Sequence, residues 1–236
     1  MDLIDLTGRH RAEAAGLPLV TEDGTYLDGV SCISVTGNIE DFHFASGSFT
    51  VELEIKLADS TPSVPNVNSP ASRILDFVNG GWGWAIQVGS GIFRPAWNPV
   101  TGSGNVVALP IDPPHDWAAI AISFDASAGV SRYFVRGVLV ASLSIVENYP
   151  AYANRLLIGA TYLDAGGVSG VQYPYAGWIR NVRITRDVRY SSAYTPSPPT
   201  RGPSDPLWSS TVLFMPLTPT APTQRATVDS MTADTA

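Results

Sequence analysis

Between residues 49 and 57, Phe49, Val51, Leu53, Ile55 and Leu57 alternate with Thr50, Glu52, Glu54 and Lys56. A period of two over nine positions gives a β-strand one apolar and one polar face, and it cannot give a helix an apolar stripe. The stretch predicts a strand with one face on a core and the other in water. Asp59–Ala71 then interrupts the pattern with Pro62, Pro65 and Pro70 among Ser and Asn, which predicts a loop. Shorter apolar runs predict further strands at Arg73–Val78, Trp84–Val88, Val106–Leu109, Ala118–Phe124, Ser131–Val135, Val138–Leu143, Arg155–Ile158, Ile179–Thr185 and Thr211–Met215, each bounded by Gly, Pro, Asn or Asp. No stretch of comparable length holds a helical period. Many short strands between frequent turns point to a sandwich or barrel and away from an alternating α/β fold.

Local details sharpen this reading. The runs Tyr133–Val135 and Val138–Val140 meet at Arg136-Gly137, where glycine supplies the positive φ of a tight hairpin. Between Ile179 and Val182 the apolar phase slips by one residue, as it does at a β-bulge. Gly80-Gly81-Trp82-Gly83-Trp84 lacks the Lys-Ser/Thr of a phosphate-binding loop and reads as a hairpin turn. Tyr194–Pro206, rich in Pro and Ser, reads as a connecting arm. The chain thus divides into a sandwich over 1–200 and a Pro/Thr-rich C-terminal arm over 201–236. One short strand at 211–217 adds to its own sheet or a neighbour's. From Pro216 onward few large apolar groups remain, so this tail must lean on something else to be ordered.

Charge and cysteine content narrow the function classes. A formal net charge of -7 gives no long-range attraction for phosphate backbones or anionic lipid, which argues against nucleic acid as a partner. Cys32 is the single cysteine, so no intrachain disulfide staples the fold, and its expected place is buried on a strand. Met1–Thr7 carries acids where a signal peptide carries cations, and the longest apolar stretch, Trp117–Phe124, is too short to span a bilayer as a helix. Neither secretion by a signal peptide nor membrane insertion is expected.

Several strings resemble a known family. Ser46-Gly47-Ser48-Phe49-Thr50-Val51-Glu52 is similar to the opening strand of laminin-G-like, concanavalin A-like domains. Trp117–Asp125 followed by Tyr133–Ser142 resembles the family's central hairpin, and Leu156–Ala160 its next strand. The resemblance runs from about Tyr26 to Val188 and implies an all-β, antiparallel two-sheet jelly-roll sandwich. Gly177–Tyr190, with Arg183-Ile184-Thr185, and then Tyr194-Thr195-Pro196, resembles the ending of this domain in bacteriophage tail, fibre and minor structural proteins. Ile4–Gly8, Val212–Met215 and Val228–Ser230 echo segments beside the domain in those proteins. The resemblance implies a non-catalytic virion structural protein, assembled in the host cytoplasm as a head decoration, tail or fibre component. Its expected partners are other virion proteins, further copies of itself, with a trimer favoured, and a host surface glycan. A free carbohydrate-binding lectin is the alternative, and a laminarinase-like glycoside hydrolase a more distant one. Arg136 and Arg180 stand where the family commonly has acids, so no cation-binding role carries over, and neither calcium nor any other cofactor is expected.

Candidate site residues follow from side-chain chemistry. Glu52 and Glu54 share a strand face, but Glu52-Leu53-Glu54-Ile55-Lys56 lacks the central aspartate and third acid of the glucanase E-x-D-x-E pattern, and no catalytic residue is expected. A solvated face or a subunit contact is the expectation for this pair. His10, His43 and His115 occur in unrelated contexts and are expected at the surface or in loops. Asp28, Asp125 and Asp164 near glycines are expected to form turns. Trp82, Trp84, Trp97, Tyr162, Tyr173 and Tyr175 lie near strand ends in glycine- or proline-rich surroundings. Flat rings there can stack on a sugar or fill a subunit interface, which makes these six the glycan- or subunit-binding candidates. Arg180, Arg183, Arg186 and Arg189 recur every third residue. Strand alternation would throw them to opposite faces, leaving salt links between subunits as the expectation.

Overall fold

A computed structural model describes residues 3–44, 47–58, 72–79, 82–89, 92–98, 105–106, 115–144, 155–163, 170–200 and 202–219. The side chains of strand residues 78–79, 82–83, 88–89, 92–98, 105–106, 162–163 and 170–172 lie outside that description. So do the expected loop at Asp59–Ala71, Asp164, and the chain beyond residue 219.

The strands are β1 (His10–Ala15), β2 (Leu19–Thr21), β3 (Gly24–Asp28), β4 (Cys32–Gly37), β5 (Phe49–Leu57), β6 (Ser72–Asn79), β7 (Trp82–Gly89), β8 (Ile92–Asn98) and β9 (Asn105–Val106). They continue as β10 (Ala118–Asp125), β11 (Val130–Val135), β12 (Val138–Ser144), β13 (Leu156–Ile158), β14 (Thr161–Leu163), β15 (Gly170–Gln172), β16 (Ala176–Thr185) and β17 (Thr211–Met215). Among the described residues the only helices are short 3-10 turns, at Ile39–Phe42, Gly202–Ser204 and Trp208–Ser210. The period-two stretch forms β5 with the limits its pattern predicts, because its five alternating apolar side chains share one face and are buried together against another layer.

Two antiparallel sheets close face to face as the expected all-β sandwich. One has the order β1-β4-β13-β6-β7-β8-β9, the other β12-β11-β10-β5-β16-β3-β2, and β14 and β15 form a separate two-stranded pair. A chain of aromatic rings links the layers. Phe49 on β5 stacks on Phe44 at 3.9 Å, Phe44 lies 5.5 Å from Trp84 on β7, and Trp84 lies 5.9 Å from Phe77 on β6. All four are at most 2% exposed, and rings of this size carry much of the apolar burial that folds the chain. Cys32 is buried on β4, as expected, and unpaired.

Other expectations need correction. His10 is neither a surface nor a loop residue: its side chain is fully buried on β1, and the ring stacks 4.6 Å from Phe42. The apolar runs of the sequence mark none of the four N-terminal strands, nor β8, β14 or β15. The cause is visible in β1, His10-Arg11-Ala12-Glu13-Ala14-Ala15, a polar edge strand without large apolar residues.

β17 joins the eight-strand sheet beside β16, with Val182 opposite Met215 and Ile184 opposite Leu213. The N-terminal segment binds its other edge. Leu6 donates to the Phe214 carbonyl at 2.8 Å, and the Phe214 amide donates to Asp5 Oδ1 at 3.0 Å. Asp5 also accepts from the amides of Thr7, Arg9 and His10, so one carboxylate shapes the N-terminal turn and ties it to β17. Pro216 and Leu217 are held as well: the Asn181 amide donates to Pro216 O and Thr25 Oγ1 to Leu217 O.

The β11–β12 turn has positive φ at both Arg136 (50°) and Gly137 (76°), the pattern of a type I′ hairpin. The chain after β16 crosses this turn, with the Tyr194 amide donating to Gly137 O at 2.9 Å. A Cβ at position 137 would overlap the Tyr194 carbonyl oxygen and crowd Pro196 Cδ. Gly137→Ala is therefore expected to destabilise the protein by roughly 2 kcal/mol or more through strain and loss of the crossing segment. Chemical unfolding checks this, and an unchanged midpoint would show that the segment does not depend on the turn.

Candidate functional site

The outward face of β5 carries Thr50, Glu52, Glu54 and Lys56. Alternation predicts a wet face, but Thr50 is fully buried and Glu52 is 8% exposed. The cover comes from the described residues 187–200 and 202–210 of the Asp187–Ser210 segment, which follows β16. Asp187 O accepts from Thr50 Oγ1 at 2.8 Å, and Thr50 Oγ1 in turn accepts from the Arg189 amide at 3.0 Å. Tyr190 and Tyr194 stack at 3.7 Å, and both meet Phe134 of β11 edge to face.

Beneath this cover lies a buried ion cluster. Arg183 donates to Glu52 at 2.5 Å and to Asp205 at 3.0 Å, and Arg189 donates to both oxygens of Asp205 at 3.0 and 2.8 Å. Their side chains are at most 10% exposed. Burial works against the Arg183 charge, but Glu52 and Asp205 outweigh it and hold the guanidinium above its ordinary value. Burial likewise opposes ionised Asp205, and bonds from Arg189 and the Leu207 amide reverse that and hold the carboxyl below its usual range. Tyr190, buried beside Glu52, is pushed up to about 12.

The expected bulge is present in β16. Arg180 faces Glu54 and Arg183 faces Glu52, so three steps on β16 match two on β5, with Asn181 at φ 54° as the extra residue. This corrects the expectation that the arginines fall on opposite faces. The bulge restores the phase, and Arg180 and Arg183 both reach acids of β5. The salt links are within the chain: Arg180 pairs with Glu54, Arg183 and Arg189 with the buried acids, and Arg186 donates to the carbonyls of Glu40 and His43.

Beyond the cover, the same face opens into a cleft of about 470 Å³. It is lined by Glu54, Ala119 and Asn181, by Trp117 and Arg180, and by Pro196, Ser197 and Pro198, with Arg136 and Thr218 also contributing. Glu54 Oε2 accepts from Arg180 Nε (2.9 Å) and Nη2 (2.8 Å), and its Oε1 from Asn181 Nδ2 (2.6 Å). The Arg180 guanidinium lies 4.0 Å over the Trp117 ring, and its Nη1 donates to Asp23 O. An arginine held in one plane by a carboxylate, a carbonyl and an indole is preorganised, and a cleft of this size with an aromatic wall and convergent polar groups suits a sugar.

The sequence candidates are scattered. Trp84 is 1% exposed and its Nε1 donates to Phe42 O, which removes it from the binding set. Tyr175 is fully buried, with its hydroxyl donating to the carbonyls of Lys56 and Trp178, and is removed likewise. Trp84 sits in a part of β7 that is buried throughout 84–87, and Tyr175 lies just before β16 in a stretch buried throughout 174–177. Tyr173 is half-buried at φ 47° beside β6, where its carbonyl accepts from the Arg73 amide. Trp82, Trp97 and Tyr162 lie on β7, β8 and β14, and their side chains are outside the description. Asp28 and Asp125 are turn formers as expected, accepting from the amides of Val30 and Ser31 and of Ser127 and Ala128. Sequence reasoning missed Trp117 as a site residue because it opens an apolar strand, and the turn glycine Gly24, whose added Cβ would meet the indole, gives no local signal.

Removing Arg183 from the ion cluster leaves buried Glu52 without its guanidinium donor. Arg183→Met is expected to cost about 3–5 kcal/mol in urea unfolding, and a cost below about 1 kcal/mol would contradict a linked cluster. Asp205 has a folded value below its unfolded one, so its contribution is complete above about pH 4 and is lost as pH falls through the folded value. Acid is therefore expected to loosen the Asp187–Ser210 cover. Tyrosine fluorescence followed down from pH 5 measures this, and Asp205→Asn should flatten the transition.

Likeness to known proteins agrees with this architecture. The binding domain of botulinum neurotoxin serotype D/C superposes with a TM-score of 0.62 at 16% identity, over 78% of this chain and 46% of that one. A botulinum neurotoxin type C structure, described as depending on two ganglioside molecules to enter cells, gives 0.60 at 15% identity, over 78% and 45%. The botulinum neurotoxin DC binding domain solved with rat synaptotagmin II gives 0.60 at 16%, over 78% and 45%. The chain spans under half the length of these structures, and at such identities the likeness shows the fold alone. No curated protein matches the chain in sequence. The family profile of concanavalin A-like lectins and glucanases matches residues 33–192, well over half of the sequence, and the chain belongs to that superfamily.

Proposed function

We propose that this protein is a non-catalytic, glycan-binding structural component of a bacteriophage particle, a head decoration, tail or fibre protein assembled from several copies, with a trimer favoured. The observation that carries the non-catalytic part is the occupation of both β5 acids. A retaining glycosidase needs one carboxyl free to donate a proton and a second free to attack, about 5–5.5 Å away. Here Glu52 is buried against Arg183 beneath the cover, and Glu54 is taken up by Arg180 and Asn181. The cleft beside them supports sugar binding, with Trp117 and the Pro196–Pro198 segment in its lining. The likeness to neurotoxin binding domains, one described by its ganglioside requirement and one solved with a protein receptor, supports a recognition role. The virion assignment rests on the resemblance of Arg183-Ile184-Thr185 and Tyr194-Thr195-Pro196 to the ending found in phage structural proteins. Tyr173, Trp82, Trp97 and Tyr162 stand as further candidates for glycan or subunit contact.

Glycan-array binding by the full chain, together with immunogold labelling of phage particles, tests this reading. Trp117→Ala, with the fold verified by circular dichroism, is expected to weaken sugar binding by about tenfold or more through loss of the ring and of the Arg180 stack. Binding without particle labelling would favour a free lectin. Release of reducing ends from a β-glucan, abolished by Glu52→Gln, would overturn the non-catalytic assignment.

A further inference from the structure

The hydrogen-bonding capacity left open in the cleft is unbalanced. Glu54 spends most of its acceptor capacity on Arg180 and Asn181. Arg180 keeps one further N–H on each terminal nitrogen after serving Glu54 and Asp23. Arg136 is exposed at the crest of its hairpin, and its guanidinium has no partner among the described residues, so all five donors are open. Glu54 and Arg180 cancel in charge, and Arg136 leaves the lining with a surplus positive charge on a chain of net charge -7. Ser197 and Thr218 add hydroxyls at the rim.

A neutral sugar presents hydroxyls, each both donor and acceptor, and is matched by sites that mix carboxylates with donors. This cleft offers mostly donors and one uncompensated cation. We propose that its ligand is an acidic glycan, a sugar bearing a carboxylate that Arg136 receives in two-pronged fashion while the rest of the sugar sits in the cleft lined by Trp117, Arg180 and Pro196. The inference rests on the glycan-binding reading and adds the ligand class. Arg136 acts here as a specificity determinant, presented to the cleft from a type I′ turn.

Calorimetry with the full chain tests this on matched pairs of oligosaccharides: one sialylated and one containing uronic acid, each beside its carboxyl-reduced neutral counterpart. The acidic member of at least one pair is expected to bind about tenfold tighter or more, and whichever pair shows it identifies the kind of acid. The preference should shrink between roughly 50 mM and 0.5 M salt. Arg136→Gln should remove the preference while sparing the neutral counterpart, and Arg136→Lys should retain part of it. Equal affinity for acidic and neutral members, or a preference that survives Arg136→Gln, overturns this inference and leaves the lectin reading standing. No binding to any member overturns both.

Discussion

Two arginines and two acids buried beneath the Asp187–Ser210 segment decide what the outer face of this sandwich can be. Taking four charges out of water costs several kcal/mol per ion, and only close mutual pairing offsets it. Arg183 joins Glu52 of the sheet to Asp205 of the covering segment, and Arg189 grips the same Asp205. The cover is therefore pinned at a particular register, because a slip of one residue would leave a buried charge alone. The pinned segment converts half of an open sheet face into protein interior and turns the other half into a walled cleft.

The bulge at Asn181 makes that arrangement possible. Ahead of it β16 pairs with β3 over Ala176–Ile179, and beyond it with β17 from Val182, so one long strand serves two partners along the same edge. It also sets both Arg180 and Arg183 against β5, giving each strand acid its own cation. In a glucanase-like arrangement such acids face substrate. Here Glu52 and Glu54 are each paired with an arginine of β16.

Much of the fold is legible in the sequence because the core strands carry their own signal. Residues 49–57 form a strand with the limits their pattern predicts, the C-terminal strand expected at 211–217 runs over 211–215, the Arg136-Gly137 turn is a tight hairpin, and the slip between Ile179 and Val182 is a bulge. The polar edge strand β1 and the three-residue β2 lack that signal, since an edge needs little apolar surface. The candidate site is less legible. Its lining comes from stretches scattered between Glu54 and Thr218, and nothing local in the sequence marks that Trp84 and Tyr175 turn inward while Trp117 lines a cleft. The arginine spacing was readable in principle: a three-residue step across a one-residue bulge keeps side chains on one face.

The central claim is that the Asp187–Ser210 segment is part of the folded sandwich, held by the ion cluster. Site-resolved amide hydrogen exchange tests it most directly, through the amides of Arg186 and Tyr194, which donate to Ser210 O and Gly137 O. The account predicts that they open only with global unfolding, with protection matching the amides of β5. Exchange at the rates of an unstructured peptide, while β5 stays protected, would contradict it.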